Sequence, residues 1–301
     1  MAVPDSAISR VDAHQLANRI VEWYASNQRD LPWRREGFTP WGQLVAEFML
    51  QQTQVDRVVP KLQEWLQRWP TPADLAADSP AEAIRMWDRL GYPRRALWLH
   101  RAAVEITERF GGEVPHDVEH LLTLTGVGDY TARAIAVFAY GLRHPVVDTN
   151  TRRVLARAIT GLSAAAAPNT VRDLTEMDTL LPLDLHESVQ FNAGMMELGA
   201  IVCTANKPLC DSCPIADLCA WAAAGFPENA AKARPKQKSF EGSDRQARGM
   251  MLALLRERGE ASTAALFALI TEPAQAERAL LSLERDGLIV KTHADEWRLP
   301  F

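Results

Sequence analysis

The chain has 301 residues, 47% hydrophobic and 24% charged, which provides for roughly two domains with substantial cores and excludes a disordered or fibrous polypeptide. No secretory apolar run opens it and no stretch approaches the roughly 18 uncharged residues of a membrane span, so a cytoplasmic chain with no membrane partner is expected. A net charge of −5 argues against a partner held by bulk charge, as nucleic acid is, although a local basic face escapes that average.

Taken in order, apolar residues recur at three and four positions, beginning with Leu16, Ile20 and Trp23, and this period predicts helices. The next predicted helix has Leu44 and Phe48 on one face and Gln43, Glu47, Gln51 and Gln54 on another, which by pattern alone reads as a solvated polar stripe. Val58, Leu62 and Trp65 mark a third. "LGYPRRALWLHRAA" (Leu90 to Ala103) sets Arg94 and Arg95 beside Tyr92, itself readable as a core aromatic.

Leu121 and Leu122 then lead into "LTGVGDYTARAI" (Leu124 to Ile135), read as helix, tight turn, helix. Gly126 and Gly128 permit positive φ and turn backbone amides outward around Val127, where with a helix N-terminus they can hold a phosphate or a phosphate-bound monovalent cation. Asp129 suits that role only if it caps the second helix. Asp148 opens "DTNTRRVLARAI" as a candidate N-cap, and Arg152, Arg153 and Arg157 follow at helical spacing as a basic cluster or a solvated face. Strand-like alternation is nearly absent before residue 285, so the body is expected to be all-α.

All four cysteines, Cys203, Cys210, Cys213 and Cys219, lie in one segment spaced C-x6-C-x2-C-x5-C. A cytosolic setting disfavours disulfides, and four soft thiolates suit zinc or a [4Fe–4S] cluster. Zinc sites usually pair two C-x2-C units; this stagger wraps a larger object and favours the cluster. With every ligand supplied by protein, its role is structural.

From Phe226 to Asp244 the composition shifts to Pro, Lys, Ala, Gly and Ser, a linker that contains the basic run Lys232, Arg234, Lys236 and Lys238. The last stretch reads as three helices and a short hairpin, resembling a winged helix.

The cysteine spacing resembles the iron–sulfur loop of the endonuclease III and MutY-type adenine glycosylase superfamily. "LPWR" (Leu31 to Arg34), "AEFMLQQTQV" (Ala46 to Val55), "VVDTNTRRVLAR" (Val146 to Arg157) and "MMELGAIVCT" (Met195 to Thr204) agree with it in the same order, over about residues 14 to 226. The resemblance implies a helix-hairpin-helix glycosylase fold, with a six-helix barrel over 31–148 and a cluster domain from 1–30 and 149–226; the composition adds a linker at 227–245 and a small winged-helix-like domain at 246–301.

It further implies a monomeric, nucleoid-associated enzyme acting on double-stranded DNA with a mismatched or oxidised base pair. "MLQQTQV" and Tyr130 point to the branch that removes adenine opposite 8-oxoguanine or guanine. By the same resemblance Glu47 protonates the departing base and helps activate water, Asp148 stabilises or attacks the sugar cation, and Asn150 orients that site. Tyr130 stands where bifunctional relatives place a Schiff-base lysine, which implies base removal without strand cleavage. Gln51 and Tyr92 become the wedge that fills the gap left by a flipped base, Gln52 faces the orphaned partner, and Gly126, Val127, Gly128 and Arg152 meet the backbone.

Two departures stand in the hairpin, Thr125 where the family usually has proline and Asp129 where a basic or small residue is common, so weaker backbone affinity is expected. After the linker only about 55 residues follow, fewer than the 8-oxoguanine-reading domain of well-known relatives, so recognition of that base is expected to rest on the catalytic domain, to be weaker, or to differ in kind. A thymine or uracil mismatch glycosylase of the same fold is one alternative, and a non-catalytic iron–sulfur DNA-binding protein another. Retention of Glu47, Asp148 and Asn150 argues against the latter.

Overall fold

The computed structural model describes residues 10–228, 239–292 and 295–301, and the basic run from Lys232 to Lys238 lies outside them. The described helices are α1 (Arg10–Asn27), α2 (Pro40–Leu50), α3 (Val55–Arg68), α4 (Pro72–Ala77), α5 (Pro80–Trp87), α6 (Arg94–Phe110), α7 (Val118–Leu121) and α8 (Asp129–Phe138). They continue with α9 (Thr149–Ala158), α10 (Thr170–Leu180), α11 (Leu185–Ile201), α12 (Ala220–Ala223), α13 (Asp244–Arg258), α14 (Thr263–Phe267) and α15 (Pro273–Arg285). Three short strands, β1 (Glu260–Ser262), β2 (Val290–Lys291) and β3 (Glu296–Arg298), lie among the last helices. None of the described helices is long and apolar enough to cross a membrane.

Local chemistry sets many helix starts. Thr39 accepts from the Gly42 amide ahead of Pro40, Thr71 and Asp74 form a reciprocal capping box, and Asp184 accepts from the Glu187 amide. Each satisfies amides that no turn of helix can reach.

The chain divides into two units. The first comprises Met1–Glu36, His116–Val118 and Gly128–Ala233. Here α1 and α9 both pack on α11 around Ile20, Leu155, Phe191, Met195 and Leu198. At the edge of this core Glu197, 1% exposed, takes paired hydrogen bonds from Arg29 and Arg34. Burial alone would raise its carboxyl, but those bonds carry it down to about 2.

The second unit comprises Gly37–Pro115, Glu119–Val127 and Arg234–Phe301. In it α2 to α6 enclose Trp65, Trp69 and Trp87, with Trp65 edge-on to both of the others. Its C-terminal part runs α13, β1, α14, α15, β2, β3, with an antiparallel sheet ordered β1-β3-β2, the topology of a winged helix. Strand β1 was not anticipated, because three residues are too few to display alternation.

These units cut the chain differently from the sequence-derived domains. Residues 128–148 fall with the cysteine-bearing unit, where Ala134 and Val137 of α8 pack on Val146 with Val189 and Met196 of α11. Residues 246–301 fall with α2 to α6, tied by the ion pairs Arg94–Asp286 and Arg256–Asp88.

Candidate active site and metal centre

Helix α2 is buried on nearly every side, including Trp41, Leu44, Val45, Phe48 and Met49, so its polar residues are enclosed and form no solvated stripe. Glu47 is 5% exposed and Gln43 only 2%. One turn earlier on the helix, the Gln43 amide donates to Glu47 Oε1 at 3.1 Å, which orients the carboxyl. Trp41 is core, with its indole N–H donating to the Trp69 carbonyl at 3.0 Å.

The glutamine row does not continue along that face. The helix stops at Leu50, Gln51 is its C-cap, Gln52 turns left-handed at φ 58, and Gln54 precedes α3. Arg95, 4% exposed, holds this turn by donating to the carbonyls of Phe48 and Gln51. Tyr92 is no core aromatic: it is 49% exposed, also at positive φ, 48, and carries the Arg95 guanidinium 4.8 Å from its ring centroid.

Only one of the two hairpin glycines uses left-handed backbone. Gly126 has φ 80 and lies so close to α2 and α6 that a Cβ would stand 2.8 Å from Trp98 Cβ and 2.9 Å from Phe48 Cε1. Gly128 is extended at φ −96 and is the N-cap of α8, so Asp129 does not cap the helix as expected. It sits in the first turn, where its charge suits the helix dipole, and takes a hydrogen bond from Arg133 at 3.1 Å. Thr125 is clamped by Glu105, which accepts from its amide at 2.8 Å and its hydroxyl at 2.7 Å.

In the first unit Asp148 is the N-cap of α9, accepting from the Thr151 amide at 2.7 Å through one oxygen and from Asn150 Nδ2 at 2.8 Å through the other. Arg153, one turn on, donates to Asn150 Oδ1 at 2.9 Å and to the carbonyls of Gly199 at 2.5 Å and Cys203 at 2.7 Å. A continuous line of hydrogen bonds therefore joins the cysteine loop to the Asp148 carboxylate. Gly199 makes the approach possible: a Cβ there would lie 2.7 Å from Asn150 Cβ.

The four cysteine sulfurs line one pocket with Arg157, Leu198, Ile215 and Trp221. Among the described residues no three His, Cys, Asp or Glu side chains close around a single ion. Arg157, 5% exposed, donates to Cys203 Sγ at 3.3 Å and to the carbonyls of Ser163, Thr204 and Ala205, with its guanidinium 4.6 Å from the Trp221 ring. Burial pushes the Cys213 thiol up to about 11, so its deprotonation falls to the iron it binds.

With this geometry, a model of the HhH-GPD superfamily of base excision DNA repair proteins matches residues 45–176, and one of the iron-sulfur binding domain of endonuclease III matches 203–219. An adenine DNA glycosylase of Mycolicibacterium smegmatis is 49% identical over 91% of this chain and 92% of its own length. The chain belongs to the adenine DNA glycosylase family.

A second adenine DNA glycosylase, from Mycobacterium tuberculosis, is 46% identical over 95% of this chain and 94% of its own length. Among solved structures, a thermostable thymine-DNA glycosylase superposes with TM-score 0.64 at 26% identity, over 71% of this chain and 98% of that one.

As a member of that family the protein holds a [4Fe–4S] cluster on Cys203, Cys210, Cys213 and Cys219, and bound there it supplies a rigid inorganic tie for the loop. The arginines expected as a basic cluster are spent inside this adenine glycosylase family member. Arg152 donates to Asp173 at 2.7 Å and to the Ala166 carbonyl, and its side chain is 10% exposed. Arg153 and Arg157 support the cysteine loop, a role sequence reasoning missed. Their spacing from Asn150, three residues and then four, was the available signal, since it puts all three on one helix face.

Proposed function

We propose that the protein removes adenine paired with 8-oxoguanine or guanine in duplex DNA, acting as a monomer and leaving an abasic site without cutting the strand. Glu47 is the acid that delivers a proton to N7 of the base. The Gln43 bond holds its carboxyl in place within the enclosed stretch of α2, at a set position for proton delivery. Asp148 faces the positive charge that develops on the sugar, its two oxygens held in place by the Thr151 amide and the Asn150 side-chain amide.

The observation that carries the absence of strand cleavage is the lysine distribution. Tyr130 occupies the first turn of α8, and no lysine occurs between Lys61 and Lys207, so the catalytic stretch offers no side-chain amine for a Schiff base.

Single-turnover assays on duplexes bearing A opposite 8-oxoguanine, A opposite G, and T opposite G test the reading. Adenine release is expected from the first two, with strand breaks appearing only after alkali and no borohydride-trapped adduct. Preferential release of thymine, or breaks without alkali, would overturn it. Asp148→Asn should abolish turnover while sparing DNA affinity.

A further inference from the structure

We propose that the winged domain carries part of the reader for the base opposite the target adenine, through Asp286 and Arg248. This rests on the 8-oxoguanine reading above and names the residues that deliver it.

A cleft of about 340 Å³ in the second unit is lined by Gln51, Gln52, Tyr92 and Arg94 of the helical body and by Arg248 and Asp286 of the winged domain. It is roomy enough for a small ligand group. Two of its walls are strained: Gln52 and Tyr92 hold left-handed backbone without being glycine, which persists only where the surroundings enforce it. Arg95 also lines the cleft, and its Nη2 is buried with no hydrogen-bond partner among the described residues. An unmatched buried donor beside an open cleft fits a site completed by a ligand.

The charges indicate which ligand group. Arg248 Nη2 donates to Asp286 Oδ2 at 2.6 Å, and Arg94 Nη1 lies 3.5 Å from Asp286 Oδ1. A surface that met only phosphate would gain nothing from a carboxylate, which repels it. A carboxylate flanked by guanidinium groups presents an acceptor next to donors, the complement of a base edge with a donor next to an acceptor. 8-Oxoguanine has that edge, N7–H beside C8=O. Guanine offers an N7 lone pair beside C8–H, which a carboxylate rejects. Asp286 therefore accepts from N7–H, and a neighbouring guanidinium donates to O8.

The test compares single-turnover adenine release from duplexes with A opposite 8-oxoguanine, guanine or 8-bromoguanine, the last bulky at C8 but lacking N7–H. The full chain should prefer 8-oxoguanine over both others. Asp286→Asn should lower the 8-oxoguanine to guanine rate ratio about tenfold, the loss expected for one charge-assisted hydrogen bond. Residues that merely dock the domain would lower both rates together and keep the ratio, overturning the proposal. So would an unaltered protein that treats 8-bromoguanine as well as 8-oxoguanine, a result independent of how the variant folds. No preference for 8-oxoguanine over guanine in the unaltered protein would overturn it as well, whereas no adenine release from either duplex would sink the reading on which the proposal rests.

Discussion

Replacing Arg153 by methionine keeps the aliphatic bulk but removes three hydrogen bonds at once, to Asn150, Gly199 and Cys203. Each is charge-assisted, and such bonds contribute about 1.5–3 kcal/mol; with water taking up part of the loss at a half-buried site, a net cost of about 3–5 kcal/mol follows. Only the Asn150 bond bears on chemistry. Without it the Asn150 amide is free to turn, and Asp148 loses the donor that fixes one of its oxygens at 2.8 Å. A misplacement near 1 Å costs about 10²-fold in rate, so the single-turnover constant for adenine release should fall by about that factor. Affinity for DNA should stay within about threefold of the parent, because none of these bonds belongs to a proposed DNA contact. Arg153→Lys should recover little, since an ammonium cannot reproduce the planar fork that spans three acceptors. The assay is a rapid-quench time course with enzyme in excess, run beside DNA binding and iron content. A folded Arg153→Met protein with full iron and parental rate would refute the reasoning, and so would a rate loss strictly proportional to iron loss, which would place the effect in the loop alone.

Glu47→Gln retains the shape of the acid and removes its proton, so adenine release should slow by about 10²–10⁴-fold with DNA still bound; measurable activity near parental would remove Glu47 from the chemistry. Glu197 is held at about 2 in the folded chain, below the usual 4.5 for a free glutamate. Its stabilisation, up to about 3 kcal/mol, is therefore present above pH ~4.5 and is lost as the pH falls toward 2. Urea titrations from pH 7 to 3 should show that loss, and Glu197→Gln should flatten it. Gly126→Ala places a methyl in strained backbone and against Trp98 and Phe48, and should destabilise by about 2–4 kcal/mol in chemical unfolding. Gly128→Ala, with no atom within 4 Å of the added carbon and no positive φ, should cost less than about 1 kcal/mol. Equal effects at the two glycines would contradict the asymmetry of the turn.

The sequence by itself determined whatever depends on neighbours along the chain. The cysteine stagger specifies a ligand set, because loop length limits what four thiolates can surround. Asp148 reads as an N-cap from the residues that follow it, and the helices announce themselves by apolar period and capping residues. Only the tertiary structure decided what each polar residue spends its hydrogen bonds on. Arg152, Arg153 and Arg157 look alike in a string, yet one pairs with Asp173, one holds Asn150 and the cysteine loop, and one lies against Cys203 and Trp221. Their partners lie up to 64 residues away, from Arg157 to Trp221, and no local pattern encodes that distance. Burial of Gln43 with Glu47 likewise comes from the helices packed around α2, which turn an apparent surface stripe into an enclosed acid. The cleft beside Tyr92 is closed by Arg248 of α13 and by Asp286, the residue after α15, and placing Arg94 beside Asp286 required the chain to fold back across more than a hundred residues.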